Sequence, residues 1–356
     1  MGLNINEDIS QSLQERVSAA MNSKTALKIV GGNSKAFYGR ETDGEILNVS
    51  GHSGILNYEP TELVATVRAG TKLSELQQAL SAQGQMLPFE PPHLGESATV
   101  GGTVATNLSG PRRPFGGAVR DHVLGVKIIN GKGEILHFGG EVMKNVAGYD
   151  LSRLMAGAMG TLGVLLEVSF KVNPVAENEL TLYRNCSIDT AITTMNEWAS
   201  RPYPISGGVF DGENLYIRFS GSENAVEAAR KKFGGDELED ANNFWLRIKE
   251  QQHAFFGGDA PLWRLSLAPA SPHILLPGKT LVDWAGAQRW YKGEANADDI
   301  RQAAQKSGGH AVMFRGGDRD QAFQPLDPVV MRLHKNLKQA MDPNGILNPG
   351  RLYAQL

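Results

Sequence analysis

Apolar residues recur every four positions at the start of the chain, at Ile5, Ile9, Leu13 and Val17, which predicts an amphipathic opening helix. Ala26 to Val30 reads as a short buried strand that runs into a turn, Gly31-Gly32-Asn33-Ser34-Lys35. Ile46 to Val49 and Leu63 to Arg68 read as further strands. Thr71 can cap a helix whose Leu73, Leu76 and Leu80 share one face, and Gly84 can end it. Val123 to Ile129, the turn signal Asn130-Gly131, and Glu134 to Phe138 predict a hairpin. Asp150 can cap a short helix through Met155. From Leu162 to Val172 every even position is apolar, the pattern of a half-buried strand, and Asn173-Pro174 ends it.

The pattern changes after Pro174. Leu180–Arg184 (strand), Ile188–Trp198 (helix), Gly208–Phe210 and Leu215–Phe219 (strands) and Ser222–Phe233 (helix) follow in the order β-α-β-β-α. That order predicts a ferredoxin-like or related α+β cap. Near the end Asp327-Pro328 forms an N-cap and N1 pair. Val329, Leu333, Leu337 and Met341 then share a helix face, and Asp342-Pro343 stops it. No internal repeat is visible in the sequence. The expected division is residues 1–174, a cap over 175–325, and a C-terminal helix and tail over 326–356 that returns to the first domain.

A chain of 356 residues fits two domains. The net charge of -3, without a long run of one sign, does not point to nucleic acid as partner. The N-terminus lacks a signal-peptide pattern, and no stretch is long and apolar enough to span a membrane, so a cytoplasmic location is expected. Cys186 stands alone, which excludes a disulfide framework or a four-cysteine iron–sulfur site within the chain. No paired metal-ligand spacing occurs. Glycine is the outlier, with 41 residues, several of them between Gly95 and Gly163 among apolar strands. Glycines in a folded region mark positive φ or close backbone approach.

Two glycine-rich stretches carry candidate chemistry. In Gly31 to Lys35 paired glycines allow successive N–H groups to converge on an anion, with the Ser34 hydroxyl as a further donor; a purely structural turn would look the same. In Ser97 to Asn107, Thr99, Gly101, Gly102, Ala105 and Thr106 open a helix whose N-terminal amides suit a pyrophosphate; the alternative is a tightly packed glycine-rich turn. Small side chains there would admit a flat ring system. Gly157, Gly160 and Gly163 do not have dinucleotide-fingerprint spacing, and Pro277-Gly278-Lys279-Thr280 lacks the first glycine of a P-loop.

Gly31-Gly32-Asn33-Ser34, Val67-Arg68-Ala69-Gly70-Thr71, Gly101-Gly102-Thr103-Val104-Ala105 and Gly160-Thr161-Leu162-Gly163-Val164 resemble the vanillyl-alcohol-oxidase, or PCMH-type, FAD-binding domain. Longer runs are similar to the family of FAD-binding (GlcE) subunits of glycolate oxidase. They are 87–92 (LPFEPP), Arg112-Arg113-Pro114, 117–121 (GAVRD), 142–153 (VMKNVAGYDLSR) and 342–350 (DPNGILNPG). The resemblance implies an α+β fold with two subdomains around FAD, and a cap. It adds Gly70, Pro91, Ser109, Gly110, Gly160, Gly163 and Val164 to the cofactor candidates. It implies a larger homologous flavin subunit and an iron–sulfur subunit as partners, oxidation of glycolate to glyoxylate, and attachment to the inner membrane only through partners.

Two departures bear on chemistry. Asn33 stands where some relatives carry a flavin-linking histidine, so FAD is expected to be non-covalent. The cap segment Asp211 to Tyr216 lacks the histidines of the metal site in relatives that oxidise 2-hydroxy acids. A 2-hydroxy acid needs a cation for its carboxylate and a base for its hydroxyl. His310 and Arg315 are the candidates, with Arg264 and Arg289 as alternative anchors; Arg112 and Arg113 could meet FAD phosphates or a partner. The alternative to catalysis here is a flavin-bearing electron-transfer or structural subunit whose larger homologue does the chemistry.

Overall fold

The computed structural model describes residues 6–140 and 151–356. In chain order the elements begin α1 (Ser10–Ser23), β1 (Leu27–Val30), β2 (Glu45–Asn48), β3 (Ile55–Glu59), β4 (Val64–Arg68), α2 (Leu73–Ser81) and β5 (Gln85–Met86). Next come α3 (Val100–Thr106), α4 (Arg113–Gly116), α5 (Val119–His122), β6 (Val123–Ile129), β7 (Ile135–Gly139), α6 (Leu151–Leu154), β8 (Val164–Lys171) and β9 (Asn173–Pro174). The remainder holds β10 (Asn178–Asn185), α7 (Ile188–Ala199), β11 (Ile205–Phe210), β12 (Asn214–Gly221), α8 (Glu223–Phe233), β13 (Asp236–Glu237) and α9 (Ala241–Lys249). It closes with β14 (Leu262–Ser266), β15 (Gly278–Asp283), β16 (Gln288–Gly293), α10 (Ala297–Lys306), β17 (His310–Arg315) and α11 (Pro328–Met341). The fold is α+β. The expected cap at Asp150 and the run 142–150 lie outside the described residues.

Two compact units share the chain. One contains Met1–Leu108, Ala118–Pro174 and Pro325–Leu356; the other contains Ser109–Gly117 and Val175–Gln324. The short segment Ser109–Gly117 therefore groups with the second unit, unlike the boundary read from sequence. Its side chains and backbone explain why. The Trp284 indole N–H donates to the Gly110 carbonyl at 2.9 Å, Arg113 stacks 4.3 Å over the Trp284 ring, and Arg112 pairs with Glu179.

The first unit is built on a five-stranded antiparallel sheet in the order β3-β4-β8-β6-β7, with β1 and β2 as a separate parallel pair. The half-buried strand expected from alternation is β8, yet it is covered on both faces. Its even positions Val164 and Leu166 pack with Leu13, Val17 and Leu27, while Val168 and Phe170 join Leu76, Leu80 and Phe89. Its odd position Ser169 is also buried, and shares a hydrogen bond of 2.9 Å with the Thr66 hydroxyl. Helix α1 buries Leu13, Val17 and Ala20, so the four-residue spacing locates its face correctly.

The second unit holds an eight-stranded sheet, β13-β10-β12-β11-β15-β16-β14-β17. Its first half runs β10-α7-β11-β12-α8-β13 with strand order 4-1-3-2, the ferredoxin-like arrangement. Strands β14, β15, β16 and β17 repeat that order on the other side, with α10 before the last strand and no helix over 267–277. The halves join at the Phe210–Val282 pairing. The duplication is one of topology and leaves no repeat in the residues.

His52 is fully buried in the first unit, and its Nδ1 accepts the Ile9 N–H at 3.3 Å. Burial lowers its pKa, and Arg68 and Lys127 push the same way against Asp8 and Glu167. The folded state thus binds fewer protons here than the unfolded chain. The stabilisation is complete above the ordinary histidine range, near pH 6.5, and is lost as pH falls through the lower folded value. A melting series from pH 7.5 to 5.5 should show a declining Tm, and His52→Gln should flatten that decline. One site sets a ceiling of about 1.4 kcal/mol per pH unit.

Candidate functional site

A cleft of about 950 Å³, open to solvent, lies in the first unit. The turn after β1, the segment from Thr99 into α3, residues near Met159 and the C-terminal tail supply its walls. Ile29, Val30, Val49, Ala69, Ala105 and Leu165 make apolar surface, and its charged lining residues are Lys28, Lys35 and Arg351. Among the described residues no carboxylate lines it. The cleft is suited to a ligand with flat apolar parts and an anionic middle.

The first glycine-rich loop has the geometry of an anion nest. Gly31, Gly32, Asn33 and Ser34 sit outside the strand ladder, and their backbone N–H groups meet no protein acceptor among the described residues. Asn33 adopts φ 57°, which turns the chain at this point. The Ala36 and Tyr38 amides close the following turn onto the carbonyls of Asn33 and Lys35. Lys35 is buried, and its ammonium donates to the His93 carbonyl at 3.0 Å. Both glycines are demanded by packing. A Cβ on Gly32 would lie 1.4 Å from the Ser97 carbonyl oxygen, and one on Gly31 would lie 2.8 Å from Thr99 Oγ1. The Ser97 hydroxyl donates to the Gly32 carbonyl, fixing one loop on the other.

The second loop differs from the expectation of free helix amides. Thr99 caps α3 by accepting the Gly102 N–H at 3.2 Å. The Val100 amide donates to the Thr71 carbonyl and the Gly101 amide to the Ala69 carbonyl. The helix start is thus satisfied within the protein. A Cβ on Gly101 would lie 2.8 Å from Ala69 Cβ, so that glycine also serves packing. Gly102 is more open, because an added Cβ would meet only Thr99 Oγ1 at 3.2 Å. Thr99, Gly101, Gly102, Ala105 and Thr106 all line the cleft, as do Gly160 and Gly163.

Five of the expected cofactor residues stand outside that lining. Gly70 is wedged among carbonyls, its added Cβ 2.3 Å from the Val49 oxygen. Val164 belongs to the core with Leu13 and Leu27. Pro91 is buried away from the cleft lining, and Ser109 and Gly110 group with the second unit. Conversely, Lys28, Met159, Asn348 and Arg351 line the cleft without having been singled out. The tail run 342–350 was a visible signal for Asn348.

In the second unit His310 and Arg315 bracket β17. Five positions apart, they would face opposite ways on a regular strand. A bulge at Phe314 restores a common face, because Arg315 pairs with Leu262 and His310 with Ser266. Their backbone positions stand roughly 13 Å apart, at ~3.3 Å per residue along β14. Burial and the nearby Arg264 guanidinium lower the His310 pKa, and Arg315 donates to Gln251 Oε1 at 2.8 Å. Arg289 donates to the carbonyls of Gly286 at 2.7 Å and Ser271 at 2.9 Å, its buried Nη1 meets no partner among the described residues, and burial brings its pKa down to about 10. Arg112 and Arg113 are engaged by Glu179 and Trp284.

Comparison with known proteins fits this geometry. Residues 9–139 match the FAD binding domain model, and residues 317–352 match the C-terminal domain of FAD linked oxidases. The glycolate oxidase subunit GlcE of Escherichia coli (strain K12) is 52% identical over 98% of this chain and 99% of its own length. The chain belongs to the GlcE family. The glycolate oxidase subunit GlcD of Bacillus subtilis (strain 168) is 34% identical over 44% of the chain and 33% of its own length. The p-cresol methylhydroxylase structure shares the fold, with TM-score 0.74 at 16% identity, over 96% of this chain and 87% of that one. Free amides, an all-cationic charged lining and apolar walls fit the diphosphate and rings of FAD.

The packing of the two loops yields a paired prediction. Gly32→Ala should lower thermal stability and abolish FAD binding, because no shift of a flexible side chain relieves a backbone clash. Gly102→Ala should remain folded, with a Tm close to that of the parent protein. Thermal melts and fluorescence titration with FAD measure both.

Proposed function

We propose that this chain is the FAD-binding subunit of a glycolate oxidase complex, holding FAD non-covalently and passing electrons to partner subunits. The observation that carries the reading is the row of acceptor-free amides from Gly31 to Ser34, in a cleft whose charged lining is cationic. The FAD domain match and the extended identity to a glycolate oxidase subunit support it. Bound flavin would supply hydride acceptance and electron transfer. The residues of this chain would hold the diphosphate through Gly31–Ser34, offset its charge with Lys35, and keep the rings against Val30, Ala105 and Leu165. Asn33 offers no nucleophile for a covalent link.

The partners we propose are a larger homologous flavin subunit and an iron–sulfur subunit. Cys186 is the single cysteine, so the residues of this chain cannot ligate a four-cysteine cluster by themselves, which supports a separate iron–sulfur partner. Among the described residues no helix is long and apolar enough to cross a membrane. The engagement of Arg315 by Gln251 and the lack of histidines over Asp211–Tyr216 favour the electron-carrying role over substrate oxidation on this chain.

The isolated chain loaded with FAD should be yellow and should not bleach with glycolate under anaerobic conditions. The assembled complex should bleach. His310→Ala and Arg315→Ala, assembled into the complex, should leave glycolate turnover within about twofold. Bleaching of the isolated chain, lost in either variant, would place substrate chemistry here instead. A folded chain that takes up no FAD at micromolar concentration would remove the reading altogether.

A further inference from the structure

We infer that the C-terminal tail, residues 346–351, is the retention clamp of the flavin cleft, with Asn348 as its positioning residue. The inference rests on the FAD reading above and assigns a role to the DPNGILNPG run.

Asn348 is 5% exposed and joins two walls that are far apart in sequence. Its Oδ1 accepts the Ile29 N–H at 2.7 Å, and its Nδ2 donates to the Met159 carbonyl at 2.7 Å. Ile29 and Val30 lead into the amide nest, and Met159 and Gly160 are lining residues of the same cleft, distant in sequence. A carboxamide suits this geometry because it carries a donor and an acceptor on one rigid plane. A carboxylate would set a second acceptor against the Met159 carbonyl, and a methyl group would make neither bond. Gly160 must stay small, since its added Cβ would lie 2.6 Å from Asn348 Nδ2. Met159 at φ 50° and Asn348 at φ 41° hold backbone conformations that persist only where neighbours enforce them.

The rest of the tail fixes where Asn348 stands. The Asp342 carboxylate accepts the Leu347 amide at 2.8 Å and the Ile346 amide at 3.1 Å, and pairs with the buried Lys338 ammonium at 2.7 Å. Lys338 also donates to the Thr161 and Leu347 carbonyls. Beyond Asn348 the tail grips the chain that leaves the nest. Arg351 donates to the carbonyls of Tyr38 at 2.7 Å and Ala36 at 3.2 Å, and Arg40 Nε returns a bond to the Gly350 carbonyl at 3.0 Å. Thr42 donates to the Pro349 carbonyl at 2.6 Å. One segment thus ties the strand that enters the nest, and the chain that leaves it, to the Met159–Thr161 segment. A small change in those ties acts on ligand contacts more than on the distant core.

The test uses the full chain stripped of FAD and re-titrated, with visible circular dichroism of the bound flavin as a second readout. Asn348→Ala and Asn348→Asp should each weaken FAD binding at least tenfold and alter the flavin dichroism, whereas Asn348→Gln should recover part of the affinity. Arg351→Ala, which spares Asn348, should weaken binding by a smaller factor and keeps the inference testable if the Asn348 variants fail to fold. Affinity within twofold of the parent in Asn348→Ala, or in Arg351→Ala where that variant alone folds, with unchanged flavin dichroism would overturn the clamp, even if the apoprotein melts earlier. Failure of the parent chain itself to bind FAD would sink the function reading rather than the clamp.

Discussion

The flavin unit depends on backbone donors held open by tight loop-on-loop packing. Gly31 and Gly32 lie so close to Ser97 and Thr99 that a single methyl group on Gly32 collides with a carbonyl oxygen. That contact fixes the direction of the four amides that follow β1. Left to itself, a flexible glycine loop would fold its N–H groups onto local acceptors, since a peptide donor rarely stays unpaired out of water. Here the second loop packs directly on the first, Ser97 against Gly32 and Thr99 against Gly31. Its own amides are committed to Thr71, Ala69 and Thr99, so it acts as a rigid base. One loop is spent on rigidity so that the other remains available.

This division of labour also marks the limit of what the residues disclosed. Paired glycines after a buried strand flagged the Gly31–Lys35 turn, but a purely structural turn shares that pattern, and the family resemblance was what singled it out. The helix start at Thr99 looked equally available, and was not. Its acceptors, the carbonyls of Ala69 and Thr71, lie about thirty residues earlier, and nothing local at Gly101 signals them. The same holds for Gly70 and Val164: glycine content and family motif placed them near the cofactor, while their small size and apolar bulk serve packing beside it. Elements with clean periodicity, such as α1 and β8, were readable. Strands β14 and β17 were not, because both of their faces are largely covered and alternation is lost. The bulge at Phe314, which turns Arg315 to the His310 side, has no signature a single sequence reveals.

Charge in the cleft is local. The chain as a whole carries a net charge of -3, yet Lys28, Lys35 and Arg351 meet in one lining without a carboxylate among the described residues. Whole-chain charge speaks to solubility and encounter, whereas the potential at a site follows the groups that face it. Lys35 is the most consequential of the three, because its buried ammonium is held by the His93 carbonyl beside the amide row. A neutral ring system would gain little from such a cation. A diphosphate gains from both the cation and the amides, since charge-assisted hydrogen bonds are the stronger kind. The polar geometry therefore discriminates for the phosphate part of the ligand, and the apolar walls accept its rings. That asymmetry explains why the tail matters: the bonds Asn348 makes to Ile29 and Met159 add no charge to the site, and what they fix is the strand that leads into the charged contacts.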